Sequence, residues 1–283
     1  MNGPRPRVEG DWLFVPAPQE YRPYRLFCFP HAGGDATAFT RLGHALAPAA
    51  EVWALRMPAR GGRGRHPMPA TFDQLVRSVV EALGPHLHGR FGFYGQSFGS
   101  LLAYEVARAL PAGHRPDAVI AASASPPHEW GGTTAPRRDA EDLLRLAGMG
   151  ELIASAPELR EMALHAIRAD LGVLGTYRHR GAPLLRGDLY ALAGDADPML
   201  DAGALAGWSR HTTGDFGLTV VRGGHLLATV EEPGPVDVLT SVIGRERARP
   251  GTADQWLPPR PVRPRRTSPQ LPEFLPGGGS SRR

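Results

Sequence analysis

A serine flanked by glycines, in the pentapeptide Gly95–Gly99 (GQSFG), constrains the fold of this chain more than any other feature. The pattern G-x-S-x-G is typical of a sharp turn that joins a strand to a helix and exposes the serine. Because 35 of the 283 residues are glycine, the pattern alone could arise by chance, so its context must carry the interpretation. Phe91–Tyr94 before it is a short aromatic run typical of a buried strand. Leu101–Leu110 after it favours a helix and contains no Gly or Pro.

Strand-like and helical segments alternate along most of the chain. This alternation predicts an α/β fold with an open, mainly parallel sheet and helices on both faces. Beyond the segments around the serine, the predicted strands are Arg25–Phe29, Val52–Leu55, Asp117–Ala122, Asp188–Ala193 and Gly217–Arg222, and the predicted helices are Thr37–Leu46, Phe72–Leu83, Gly203–Ser209 and Val236–Gly244.

The alternation stops between about residues 126 and 180. This segment has no convincing strand, and it contains amphipathic helical patches at Ala140–Leu146, Glu151–Ala154 and Pro157–Leu171. It is too long for a crossover made of a single helix. We therefore predict an inserted helical lid over the active face of the sheet.

Both ends of the chain differ from its centre. Residues 1–21 are predicted to be an irregular arm, and residues 245–283 a disordered tail rich in Pro, Arg and Gly. The tail holds nine arginines and three acidic residues, whereas residues 1–244 hold 23 basic and 25 acidic residues. The net charge of +4 therefore comes from the tail, and the folded part lacks the basic surface expected of a nucleic-acid-binding protein.

Composition excludes several further classes of protein. The chain has no apolar run long enough for a transmembrane helix and no visible secretory signal, so a cytoplasmic protein without a membrane partner is expected. Its single cysteine, Cys28, excludes an intramolecular disulfide. There is no lysine, which excludes Schiff-base chemistry on a lysine and a phosphate-binding P-loop lysine.

Ser97 needs a base and a group that orients the base if it is to act as a nucleophile. In sheets of this kind, the acid and then the histidine follow the serine along the chain. His225 follows a strand-like run through a turn, whereas His114, His128, His165, His179 and His211 are interpreted as solvated or packing residues. Asp195 and Asp197 both lie in the turn GDADP just past a predicted strand, and periodicity does not choose between them.

Acyl transfer also requires N–H donors for the oxygen that becomes negative. One donor in such folds is the amide of the residue after the serine, here Phe98. The loop PHAGG after the first predicted central strand is placed to supply another, because Gly33 and Gly34 allow the backbone to approach a substrate.

Several motifs together resemble the type II thioesterases, which are discrete α/β-hydrolase enzymes of polyketide and nonribosomal peptide synthesis. The resemblance covers about residues 22–244 and implies an α/β-hydrolase domain there, with the predicted lid at about 126–180. It implies a hydrolase that removes stalled or aberrant acyl groups from the phosphopantetheine arm of acyl or peptidyl carrier domains. The motifs are FCFPHAGGDATAF, RMPARGGRGRHP, GQSFGSLLAYEVARAL, GDADP, Trp208 and RGGHLL.

The resemblance also implies roles for individual residues. Ser97 matches the nucleophile, His225 the base, and Asp197, rather than Asp195, the acid, while the backbone amides of Ala32 and Phe98 match the oxyanion donors. It implies no metal or bound cofactor, and we expect a monomer whose partners are carrier domains.

The sequence departs from the family at Gln96, where these enzymes often have histidine. The same residues would also serve a chain-releasing thioesterase or a general esterase. A non-catalytic carrier-binding protein is the least favoured alternative, because the serine, acid and histidine are all present.

Overall fold

An eight-stranded sheet forms the centre of the computed structural model, which describes residues 5–21, 24–47, 49–111, 113–130, 139–146, 156–200, 203–228 and 233–249. The spatial order of the strands is β1-β2-β4-β3-β5-β6-β7-β8. They are β1 (Arg7–Glu9), β2 (Leu13–Val15), β3 (Arg25–Phe29), β4 (Glu51–Leu55), β5 (Phe91–Gln96), β6 (Ala118–Ala122), β7 (Asp188–Gly194) and β8 (Phe216–Val221).

Strands β3 to β8 all run in the same direction, with β3 pairing between β4 and β5. Only β1 and β2 are antiparallel to their neighbours. The mainly parallel α/β sheet predicted from the sequence is therefore confirmed. Its consequence for function is geometric, because the carboxyl ends of all the parallel strands open at one edge of the sheet.

Helices cover both faces of the sheet, as predicted. Along β3, Phe27 and Phe29 join the core on one face, while Leu26 and Cys28 join the core on the other. Helices α2 and α3 pack on the first face, and α1 and α6 pack on the second. The helices are α1 (Thr40–Leu46), α2 (Phe72–Leu83), α3 (Phe98–Ala109), α4 (Ala140–Leu146), α5 (Pro157–Leu174) and α6 (Pro233–Ala248).

The N-terminal arm is not irregular, so that prediction was wrong for its central part. Strands β1 and β2 form an antiparallel pair, and Leu13 of β2 pairs with Leu55 of β4. Leu13 and Val15 are fully buried, and their transfer from water stabilises this pairing. Each strand is three residues long, too short for alternation to be recognised in the sequence.

The C-terminal helix also crosses the boundary predicted at residue 245. Helix α6 continues to Ala248, and Glu246 in its last turn is buried. The hydroxyl of Tyr190 on β7 donates to Glu246 Oε1 at 3.2 Å, which fastens this turn to the sheet. The predicted boundary at residue 245 was therefore wrong, and the predicted disordered tail lies, from residue 250 to residue 283, outside the described ranges.

The regular elements that the structure describes between residues 126 and 180 are all helical, and no strand occurs among these described residues. Helix α4 has the predicted bounds, and α5 runs three residues beyond the predicted Leu171. Leu144 of α4 packs with Leu164 and Ile167 of α5 in a small core of their own. The predicted patch Glu151–Ala154 lies outside the described residues. Within the described ranges, no helix has the length and apolar character needed to cross a bilayer.

Candidate active site

The predicted site residues follow four parallel strands at their carboxyl ends. Residues 30–35, here named the β3 loop, follow β3, and Ser97 follows β5. Asp197 lies just past β7, and His225 lies just past β8. The topology therefore brings all of these residues to the same edge of the sheet.

Ser97 occupies a strained turn between β5 and α3. Its φ of 55° and ψ of −119° lie outside the regions that residues with a side chain normally adopt. Such strain is characteristic of a nucleophile held out of a strand-to-helix turn. A Cβ on Gly99 would collide with the carbonyl oxygen of Phe29, and one on Gly95 would collide with the backbone of Gly99 and Ser100. Both glycines of the pentapeptide are therefore required by close backbone approach.

Asp197 and His225 form a buried acid–base pair. Nδ1 of His225 lies 3.0 Å from Oδ1 and 2.8 Å from Oδ2 of Asp197, and both side chains are buried. The amide of Met199 also donates to Oδ1 of Asp197 at 2.8 Å, which fixes the carboxylate in its turn. With Nδ1 donating to the carboxylate, Nε2 of His225 is left to accept a proton.

Asp195, the other candidate acid, holds the two loops together instead. Its Oδ1 accepts a hydrogen bond of 3.0 Å from the amide of Gly223, two residues before His225. The amide of Ala196 donates to the carbonyl of Gly223 at 2.9 Å, and a Cβ on Gly194 would collide with that carbonyl oxygen. The loops after β7 and β8 therefore pack as one unit, in which Asp197, not Asp195, contacts the histidine.

Gln96, the departure from the family pattern, binds the backbone of the loop that carries His225. Its side chain is buried, and Nε2 donates to the backbone carbonyl of His225 at 2.6 Å. The hydroxyl of Tyr94 donates to Oε1 of Gln96 at 2.9 Å. The glutamine thus joins the strand that carries Ser97 to the loop that carries His225.

The predicted oxyanion donors lie in two neighbouring loops, because Ala32 follows β3 and Phe98 directly follows Ser97 at the end of the adjacent strand β5. The amide of Phe98 opens helix α3, where a first-turn N–H has no acceptor within the helix. In the β3 loop, Gly33 has a φ of 78° and Gly34 donates its amide to the carbonyl of His31 at 2.9 Å. The amide of Ala32 has no acceptor among the residues that the structure describes. Within the part of the chain that the structure describes, both amides therefore remain candidate donors to a substrate oxygen.

His31 is a residue near this site to which sequence reasoning gave no role. Burial is the main cause that lowers the pKa of His31 to about 4, and electrostatic interaction with His225 and Arg60 adds to it. The imidazole is therefore neutral at pH 7.

The remaining histidines do not join this site. His128, His179 and His211 gather elsewhere, with Nδ1 of His128 2.8 Å from Nε2 of His211. Burial, followed by the charges of the other two histidines, lowers the pKa of His211 to about 4. His114 and His165 are exposed. This distribution agrees with their interpretation as packing or solvated residues.

Comparison with known proteins shows the family of this chain. A family model described as the thioesterase domain matches residues 24–240. The chain belongs to the thioesterase family. It is therefore a hydrolase by family, and its predicted α/β-hydrolase fold is confirmed by solved relatives.

Three relatives illustrate the similarity. The thioesterase PikA5 of Streptomyces venezuelae is 35% identical over 76% of this chain and 79% of its own length. A probable cadicidin biosynthesis thioesterase of Streptomyces griseus is 32% identical over 84% of this chain and 68% of its own length. The type II thioesterase BorB from the borrelidin biosynthetic cluster is 32% identical, with a TM-score of 0.72 over 85% of this chain and 100% of that chain. The resemblance to type II thioesterases is thus confirmed.

Replacing Gln96 by leucine is expected to lower kcat/KM for hydrolysis of an acyl thioester by about tenfold, since a displaced catalytic group loses rate steeply. The leucine keeps the apolar volume but removes the donor to the His225 carbonyl and the acceptor for the Tyr94 hydroxyl. The buried groups left unpaired should lower the free energy of unfolding by about 1–3 kcal/mol. Steady-state kinetics and denaturant titration measure the two effects.

The matched control is Gln96→His, which introduces the side chain common in the family and retains an N–H donor. We expect it to stay close to the native chain in both measurements. A leucine variant with unchanged kcat/KM would show that the carbonyl contact has no influence on the reaction.

Proposed function

We propose that this thioesterase hydrolyses acyl groups from the phosphopantetheine arm of acyl or peptidyl carrier domains, and that it edits stalled or aberrant chains in polyketide or nonribosomal peptide synthesis. The observation that carries the proposal is the strained Ser97 at the same sheet edge as the buried Asp197–His225 pair, in a chain of the thioesterase family. The partner class follows from the relatives, which include type II thioesterases.

The first half of the reaction forms an acyl-enzyme. Ser97 Oγ attacks the thioester carbonyl carbon while Nε2 of His225 takes the hydroxyl proton. The carbonyl oxygen becomes an oxyanion that accepts hydrogen bonds from the amides of Ala32 and Phe98. When the carbon–sulfur bond breaks, His225 returns its proton to the pantetheine sulfur, and the thiol leaves.

The second half repeats the sequence with water. His225 takes a proton from a water molecule, which attacks the acyl ester of Ser97 through a second tetrahedral oxyanion. His225 then protonates the serine oxygen, and the free carboxylic acid leaves. Asp197 holds Nδ1–H of the imidazole in both halves and stabilises the imidazolium that forms. These steps use only residues of this chain, the substrate and one water molecule.

A comparison of three substrates with one common acyl group tests the substrate class. The acyl group is offered on a carrier domain, on a small-molecule thiol and as a simple alkyl ester, with deacylation of the carrier followed by intact mass. We expect the highest kcat/KM on the carrier-bound thioester, because contacts with the carrier add binding energy. A preference of orders of magnitude for the simple ester would contradict the carrier proposal and indicate a general esterase.

The same assay separates editing from product release when the acyl group is varied on one carrier. An editing enzyme accepts short and long acyl groups at comparable rates, whereas a releasing enzyme prefers one mature chain. A sharp optimum at a single long chain would therefore contradict the editing role while leaving the thioesterase chemistry intact.

A further inference from the structure

A buried carboxylate from the inserted segment reaches the β3 loop. Asp170 lies in helix α5 and is fully buried. Its Oδ2 accepts hydrogen bonds of 2.7 Å from the amide of Gly33 and from Nη1 of Arg60. Nη2 of Arg60 donates to the other oxygen, Oδ1. Both oxygens of the carboxylate are thus satisfied by groups distant in the sequence.

Arg60 holds the same loop from its other side. Its Nη1 donates to the carbonyl of Gly34 at 3.1 Å, and its Nε donates to the carbonyl of Pro58 at 3.2 Å. The guanidinium is buried and forms a forked pair with Asp170, the geometry in which arginine and carboxylate bind most strongly. The β3 loop is therefore held at the Gly33 N–H by Asp170 and at the Gly34 carbonyl by Arg60.

Helix α5 also makes a direct packing contact with the β3 loop. Ile167 lies one helical turn before Asp170 and so faces the same side. A Cβ on Gly33 would collide with Cγ1 of Ile167. The backbone of the β3 loop and the Ile167 side chain of α5 are thus in direct contact. A residue larger than glycine has no space at position 33.

From these contacts we propose that Asp170 is a positioning residue for the reaction. It sets the orientation of the Ala32 amide by binding the next amide in the chain, that of Gly33. It can do so only while helix α5 packs against the β3 loop. The inference rests on the proposed function, in which the Ala32 amide receives the oxyanion. The carboxylate is suited to this role because Arg60 neutralises its charge, which would otherwise repel the oxyanion. Asp170 itself touches neither substrate nor Ser97 in this scheme.

The decisive variant replaces both partners, as Asp170→Leu with Arg60→Met. Exchange of a whole buried ion pair for apolar side chains commonly preserves folding, whereas removal of one partner leaves a buried charge. The Gly33 amide still loses its acceptor. We expect a folded protein whose kcat falls about 10- to 100-fold with KM nearly unchanged, as a displaced oxyanion donor affects the transition state more than the bound substrate.

The affinity of an inhibitor that forms a tetrahedral adduct with Ser97 separates positioning of the oxyanion donor from a purely structural role of Asp170. A trifluoromethyl ketone analogue of the acyl thioester forms an oxyanion on Ser97, so its affinity should fall by the same factor as kcat/KM. A non-hydrolysable thioether analogue, which forms no oxyanion, should bind the variant and the native chain equally. Asp170→Asn, which keeps one acceptor oxygen but loses the charge, should show about a tenfold loss in kcat and in inhibitor affinity.

Asp117→Asn is the matched control, since Asp117 pairs with Arg90 at 3.0 Å at the amino end of β6, opposite the site. We expect its kcat to equal that of the native chain. Native kcat and native inhibitor affinity in folded Asp170→Asn or in the double variant would overturn the positioning role. If Ser97→Ala keeps native activity, the proposed function itself fails, so the two failures are distinguishable.

Discussion

Replacement of Ser97 by alanine is expected to reduce carrier deacylation by at least about 10³-fold, because loss of a nucleophile leaves only binding and oxyanion stabilisation to accelerate the reaction. The strained turn should tolerate alanine, since the side chain of Ser97 caps no backbone group of α3. Intact-mass measurement of a carrier loaded with a defined acyl group follows the loss over time. The circular dichroism spectrum should remain that of the native chain.

A fluorophosphonate probe and a second serine variant control this experiment. The probe should label the native chain at Ser97 and leave Ser97→Ala unlabelled. Ser209→Ala, at an exposed serine outside the site, should retain both labelling and deacylation. Equal rates for Ser97→Ala and the native chain would refute the proposed mechanism and favour a non-catalytic carrier-binding protein.

Replacement of Asp197 by asparagine is expected to lower kcat by about 10⁴-fold. Asparagine has nearly the same shape, but its amide can present N–H to Nδ1 of His225 and so favour the tautomer with the proton on Nε2. The imidazole would then lack a free nitrogen to take the proton of Ser97. Single-turnover measurement of acyl-enzyme formation detects the defect in the first chemical step.

The matched control is Asp195→Asn, two residues earlier in the same turn. Its side-chain oxygen can still accept the hydrogen bond from the Gly223 amide, so we expect a loss of less than about tenfold. The contrast between the two variants isolates contact with His225 from a general disturbance of the turn. A larger loss for Asp195→Asn than for Asp197→Asn would assign the acid to Asp195.

Local patterns in the sequence predicted the parts of the fold that depend on neighbouring residues. The alternation of strands and helices and the strand and helix around Ser97 follow from short-range physics. The order of the parallel strands then placed Ser97 and His225 at one edge. These features needed no knowledge of distant contacts.

The parts that could not be predicted depend on contacts between residues far apart in the chain. The local pattern alone left Asp195 and Asp197 open because they share one turn; the resemblance to type II thioesterases selected Asp197, and the folded geometry places its carboxylate against His225. Gln96 meets a carbonyl 129 residues away. Asp170 meets an arginine 110 residues away, and neither residue belongs to a pattern that points to the other.

The antiparallel pair β1 and β2 has a consequence for where this folding unit can be cut. The family match begins at residue 24, yet β2 already pairs with β4 and covers Leu55. A chain trimmed to the family boundary would expose the unpaired backbone of β4 together with apolar surface, the combination that promotes edge-to-edge aggregation. Recombinant versions of the enzyme should therefore retain the residues from Arg7 onward, although they lie outside the family match.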